Sequence, residues 1–164
     1  MNHSQDGGLA CGGGGGTSCF KWNSASGTWV KSHTLKERRG GHVSWATASG
    51  VYLIGGESSP RTSEKLKVDG SVQYGFGLKY DTLYACSIPD SDVIIITGGM
   101  GNEQQNKRVS VYNEAGWQRD LTPLNEGRQV HACGSYINGG KKVTNKIENL
   151  LRSAYNVPLT VMWY

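Results

Sequence analysis

Proline is scarce in this sequence, four among 164 residues, and charge is thin: Asp, Glu, Lys and Arg together make up 18% of the chain, below the usual share of about a quarter. No stretch approaches the ~20 apolar residues that a bilayer-spanning helix needs, so no membrane partner is expected. The four cysteines, Cys11, Cys19, Cys86 and Cys133, show no Cys-x-x-Cys spacing, which removes zinc-ribbon and thiol-redox motifs. The net charge of +4 comes without a basic stripe, the densest cluster being Lys36, Arg38 and Arg39. A nucleic-acid binder would concentrate such residues among aromatics, so nucleic acid is not an expected partner. "CGGGGGTS" (Cys11–Ser18) lacks the Gly-Lys-Ser/Thr ending of a phosphate loop, and no helix pattern follows it to hold an anion. Met1 is followed by the polar run "NHSQDGG" rather than an apolar signal core. The expectation is a cytoplasmic chain by default, or a secreted one if a leader lies upstream.

What is present points to strands. Glycine, at 24 residues, is about twice its ordinary ~7% share. Eight tyrosines and five tryptophans, with the valine runs, supply core material that a disordered chain lacks. Many short strands joined by tight turns fit this composition.

Internal periodicity organises them. "VYLIGG" (Val51–Gly56) and "DVIIITGG" (Asp92–Gly99) are apolar runs that stop at a glycine pair, and Gly55–Gly56 stands 43 residues before Gly98–Gly99. The same step back from Gly55 reaches Gly12 in "LACGG". After each pair comes a polar loop and a second strand: "SCFKW", "EKLKV" and "VSVYN". A glycine-bearing turn follows, where positive φ suits a tight hairpin, and then an apolar residue: Trp29, Val72 or Trp117. A third shared feature is Arg-x-x-His leading into a strand, at Arg39–His42 and Arg128–His131. The middle copy, "DTLYACS", sets Asp81 against the arginine and Tyr84 against the histidine, while "YAC" and "HAC" still match at Cys86 and Cys133.

A hydrophobic strand ending in Gly-Gly, a spaced aromatic strand, a Gly-Trp or Gly-x-Trp turn and an Arg-x-x-His strand entry resemble the Kelch repeat of β-propellers. The resemblance runs from about Leu9 to Tyr136. It implies an all-β fold, a partial propeller of about three four-stranded antiparallel blades within residues 1–143. Counted from glycine pair to glycine pair, these are 9–56, 57–99 and 100–143. Propellers commonly close with four to eight blades. After Val143 no further glycine-pair strand follows. Ile147, Leu150, Leu151 and Ala154 instead fall on one helical face, which predicts a short amphipathic helix in the tail 144–164. That tail would cover the last blade, serve as an interaction segment, or fail to pack natively.

No residue stands out for chemistry. His42 and His131 recur at one repeat position, which favours a structural role, with the imidazole bonding a backbone group. The carboxylates sit mostly in turns, where they bond their own backbone, and no pair has the context of acid–base work. Some propellers of this kind are copper oxidases of the galactose oxidase type, but spacing does not bring these histidines together. The expectation is therefore a non-enzymatic protein-binding scaffold with no cofactor and no metal. A fragment of such an oxidase and a secreted structural protein are the alternatives. Binding would fall to loops held by a rigid sheet. The candidates there are Arg61, Lys107, Arg108, Lys36 and Arg38, all basic, which suggests an acidic protein partner. Loops after the glycine pairs are expected on one side and those before the Arg-x-x-His strands on the other. Open blade faces also allow self-association. The plainest expectation for the cysteines is four buried free thiols. Cys11 and Cys19 could instead face each other across a hairpin as a disulfide, in an oxidising compartment.

Overall fold

β-Branched and aromatic residues favour a pleated surface and glycine interrupts it, and the strands here begin and end accordingly. The computed structural model describes residues 8–14, 16–90, 92–134, 137–138 and 141–142. Met1–Cys133 forms one compact unit and Gly134–Tyr164 a second. The first unit holds three antiparallel sheets. The first sheet contains β1 (Leu9–Cys11), β2 (Ser18–Asn23) and β3 (Thr28–Thr34). The second contains β4 (Val43–Thr47), β5 (Gly50–Ile54), β6 (Ser63–Leu66) and β7 (Val72–Tyr74). The third contains β8 (Cys86–Pro89), β9 (Ile94–Thr97), β10 (Val109–Asn113) and β11 (Gly116–Asp120). One helical turn, α1 (Glu103–Asn106), interrupts the β9–β10 loop. Asn102 and Gln105 cap it reciprocally, each accepting from the other's backbone N–H at 3.0 Å. In the second unit β12 (Ile137–Asn138) pairs antiparallel with β13 (Lys141–Lys142). The helix expected within 144–164 lies outside the described residues.

Each sheet of the first unit is a meander, every strand pairing with its neighbour in sequence. The second and third sheets have the expected four strands; the first has three among the described residues. Units counted from one glycine pair to the next are offset from the sheets, because β5 and β9, which end at the pairs, are second strands.

Alternation decides what each sheet buries. Leu53 and Leu66 on one face of the second sheet pack with Cys19 of the first and with Leu35, just past the end of β3. Val43, Trp45, Tyr52 and Ile54 on the other face pack with Ile94, Ile96 and Tyr112 of the third. Phe76, from the β7–β8 segment, slots between these layers. Trp45, Tyr52, Phe76 and Tyr112 form a column of rings with successive centroids 5.5, 5.3 and 5.7 Å apart. Trp45 satisfies its indole N–H on the Asp90 carbonyl at 2.7 Å, so the buried ring carries no orphan donor. β4 and β8, the first strands of their sheets, lie next to each other.

The backbone corrects the alignment of the middle repeat. The second glycine of each pair donates its N–H to a carbonyl in the segment entering the next strand: Gly13 to Arg39 at 3.3 Å, Gly56 to Thr82 at 2.8 Å and Gly99 to Arg128 at 2.9 Å. Two residues on from each carbonyl, Gly41, Tyr84 and Val130 have φ of 65°, 51° and 50°. The counterpart of Arg39 is therefore Thr82, not Asp81, and that of His42 is Ala85, not Tyr84. Side-chain spacing matched a polar-x-x-aromatic pattern one residue away from the shared backbone shape.

Candidate interaction face at one end of the sheets

In a meander, connections alternate between the two ends of the sheet. The loops after the glycine pairs and the segments entering β4 and β8 therefore share one end, contrary to the expectation of opposite sides. Backbone bonds tie them together. Glu57 N–H donates to the Gly40 carbonyl at 2.9 Å, Met100 to Leu83 at 2.7 Å, and Thr82 to Pro60 at 2.8 Å. The glycine-pair staples lie at this same end. Gly55 shows why glycine stands there: its φ is 73°, and a β-carbon would overlap the Thr82 carbonyl oxygen.

Arg39 anchors the end from within. Its side chain is fully buried, as is that of Glu64, and Nε donates to Glu64 Oε1 at 3.0 Å. Nη1 donates to the Gly55 and Thr62 carbonyls at 2.7 and 3.0 Å, and Nη2 to Thr62 Oγ1 at 2.8 Å. Glu64 also accepts the Lys36 and Glu37 N–H groups at 2.7 and 3.1 Å. A buried ion pair is tolerable only with its remaining lone pairs and protons satisfied, and these contacts meet that demand. Arg128 behaves differently, staying partly exposed and donating to Glu126 at 3.0 Å.

His42 Nδ1 donates to the Arg39 carbonyl at 2.9 Å, the oxygen that also receives Gly13. His131 Nε2 meets Thr97 Oγ1 at 3.0 Å. Burial lowers the pKa of each histidine, with a further lowering from the nearby arginine charge. Both imidazoles thus favour the neutral form at these joints.

The five basic candidates all fall at this end, but in different states. Arg61 is exposed and donates from Nε to Asp81 at 2.5 Å. Arg38 is exposed. Lys36, also exposed, places Nζ 5.6 Å from the Tyr74 ring centroid. Lys107 pairs with Glu103 at 2.9 Å. Arg108 lies 3.5 Å over the Tyr80 ring, inside a network that sequence reasoning missed. There Asp120 accepts Ser110, Tyr80, Trp117 and Lys79 at 2.6, 2.7, 3.2 and 3.2 Å. Burial alone would raise the Asp120 pKa, but these bonds together hold it at about 2. The recess between Tyr80, Asp81, Thr82 and Arg108 measures about 10 Å³. That is room for about one water, so this part of the end offers surface rather than a small-molecule cavity.

The repeat-position tryptophans occupy matching registers, Trp29 opposite Trp22 and Trp117 opposite Tyr112. Trp22 and Trp29 meet edge-on at 5.5 Å, and Lys79 Nζ sits 3.8 Å from the Trp117 ring centroid. At the opposite end Glu114 reaches from the β10–β11 turn to Ser49, Tyr52 and Lys65 of the second sheet, at 2.6, 2.9 and 3.2 Å. Led by the Ser49 bond, these contacts hold its carboxyl at about 2.

The free-thiol expectation is overturned. Cys11 and Cys19 stand directly opposite on β1 and β2 and form a disulfide with Cα atoms 4.1 Å apart. Cys86 and Cys133 form a second, with Cα atoms 5.9 Å apart. The matching "YAC" and "HAC" held the signal for the second bond: on the backbone alignment Cys86 and Cys133 stand one residue out of register in neighbouring repeats, close enough to be bridged.

No family model matches this chain, and no curated protein matches it. Among solved structures, one titled "Structure of YjhT" aligns with 82% of this chain at 15% identity and a TM-score of 0.65. The likeness is one of fold. This chain spans 53% of that structure's length, about half. Among the described residues no group of three or more His, Cys, Asp or Glu is placed to hold a metal ion, and no helix is long and apolar enough to cross a membrane.

Proposed function

We propose that the chain is a partial Kelch-type β-propeller serving as a non-enzymatic protein-binding scaffold. Three meander sheets in succession, with first strands side by side and a common entry geometry, support the propeller reading. The observation that carries the functional reading is the gathering of Lys36, Arg38, Arg61, Lys107 and Arg108 at one end, on loops fastened to each other by backbone bonds. Fastened loops lose little conformational entropy on binding, and their basic side chains favour an acidic partner. Affinity capture from lysate with the intact chain, set beside the Lys36→Glu/Arg38→Glu/Arg61→Glu variant, tests this. Proteins retained by the first and lost by the second support the reading; identical recovery by both sinks it. Stoichiometric copper in purified protein would favour the oxidase alternative.

The two disulfides favour a second statement, that the chain folds in an oxidising compartment, since such bonds rarely persist in a reducing one. A non-reducing peptide map of natively expressed protein that shows four free thiols would contradict it.

A further inference from the structure

One face of the first sheet is built like a joint but left open. Its residues correspond by register to the face of the second sheet that packs on the first. Ala10 matches Leu53, Phe20 matches Glu64 and Trp22 matches Leu66. In the second sheet those three are 2%, 0% and 3% exposed. In the first sheet Ala10 is exposed, Trp22 is half-buried, and Phe20 and Trp29 on the same face are 40% and 51% exposed. Exposed aromatics grouped on one face mark interaction surfaces rather than ordinary solvent contact.

The adjoining edge is open as well. Gly12 donates to Ser18 and Trp22 donates to the Gly8 carbonyl, so Gly8, Ala10 and Gly12 direct their backbone groups at β2. Leu9 and Cys11 then direct theirs outward. The matching residues Tyr52 and Ile54 pair with Trp45 and Val43 of β4; among the described residues no strand does the same for β1. The surroundings are basic. Residues 8–35 contain Lys21 and Lys31 and no Asp or Glu. Lys21 and Lys31 are exposed, on opposite faces of β2–β3, and both line a cleft of about 390 Å³ with Trp22 and Val30.

We propose that this edge and face bind an extended acidic segment of another protein, which adds as a strand beside β1. Main-chain bonds to Leu9 and Cys11 supply the pairing, as in β-strand addition generally. One row of the segment's alternate side chains falls on the face of Phe20 and Trp22 and continues their apolar patch; the other row falls on the face of Lys21, where carboxylates meet its ammonium, and Lys31 adds to the positive potential nearby. This surface is separate from the basic loop end and does not depend on it.

The test is a tryptophan-fluorescence and calorimetric titration of the full chain with a short peptide alternating valine and glutamate. A valine–lysine peptide is the comparison. Expected are saturable binding of the acidic peptide alone, weakening with salt, and a loss of at least about tenfold in Lys21→Glu/Lys31→Glu. Leu9→Pro removes one outward N–H while leaving the β1–β2 bonds in place; it should abolish binding while circular dichroism stays unchanged. The Lys36→Glu/Arg38→Glu/Arg61→Glu loop variant should bind as the parent does, which separates this proposal from the loop reading. Equal binding of both peptides, binding indifferent to Leu9→Pro, or no binding at all overturns the proposal. So does light scattering showing a dimer that Trp29→Lys dissociates, because the face would then belong to a second copy.

Discussion

Replacing Arg39 with methionine removes the cation but nearly keeps the length and apolar bulk of the side chain. Glu64, fully buried, would then retain only the Lys36 and Glu37 N–H groups, and the Gly55 and Thr62 carbonyls would lose their guanidinium donor. Removing one partner of a buried pair costs about 3–5 kcal/mol, because the remaining charge is stranded away from water. Set against a typical total of about 5–15 kcal/mol, that is a large fraction. At about 2–4 °C per kcal/mol for a chain of this size, the melting midpoint should fall by roughly 6–20 °C. Urea unfolding followed by tryptophan fluorescence measures the loss directly, provided the slope with denaturant is unchanged. The double variant Arg39→Met/Glu64→Leu removes the stranded charge and should regain at least about half of the loss, giving a strongly non-additive cycle. A single-variant cost below ~1 kcal/mol, or simple additivity in the cycle, would refute the claim that this pair anchors the loop end.

Three further outcomes follow from the same geometry. In the chain-entropy picture, opening Cys86–Cys133, which spans 47 residues, should cost about 4 kcal/mol, and opening Cys11–Cys19, which spans 8, about 2.5 kcal/mol; paired Cys→Ala variants measured by chemical denaturation give the order, and a larger loss from the shorter bridge would contradict it. Gly55→Ala should destabilise well beyond the ~1–2 kcal/mol of left-handed strain, because its β-carbon meets the Thr82 carbonyl, whereas Gly70→Ala, at φ 86° with open space around it, should cost only that strain; equal losses would show that the staple yields. Acid should weaken the fold in two stages. His42 and His131 have lowered pKa values, so their contribution is complete above the unfolded value of ~6.5 and is lost as pH falls below it. Glu114 and Asp120, held at about 2, contribute above the unfolded values near 4 and lose that contribution as pH drops towards 2. A urea midpoint that stays level from pH 7 to 5 would remove the histidines from this account.

The strands were legible in the sequence because their signals are local. "VSVYN" became β10 residue for residue, and the glycine pairs marked the ends of β5 and β9. The three-sheet count followed from the 43-residue step. What escaped notice depends on groups that meet only after the sheets stack. Glu64 reads as a solvent residue in "EKLKV"; nothing nearby in sequence foretells that Arg39 will be driven against it. Asp120 and Tyr80 lie 40 residues apart and meet because the β7–β8 segment folds over the third sheet. The basic loop residues were identifiable as a type, but their sharing one end required counting reversals of the chain. The shift at Asp81–Tyr84 was hidden because a backbone turn, rather than a side-chain pattern, is what repeats there.

That turn has a consequence for the order of the sheets. Gly41 and Tyr84 hold the same place in successive repeats, and Tyr84 N–H donates to the Gly41 carbonyl at 2.9 Å. A side chain at 41 would run into the Tyr84 ring, whose hydroxyl bonds Glu57. Two tyrosines would collide, and two glycines would lose both the filled space and the hydroxyl bond. At this junction the first and second copies therefore differ as a matched pair, small beside large, and the match acts as a label of neighbour identity. A tandem array of perfect copies could stack in any order, whereas the glycine of this chain's first copy leaves the room that Tyr84 of its second copy fills.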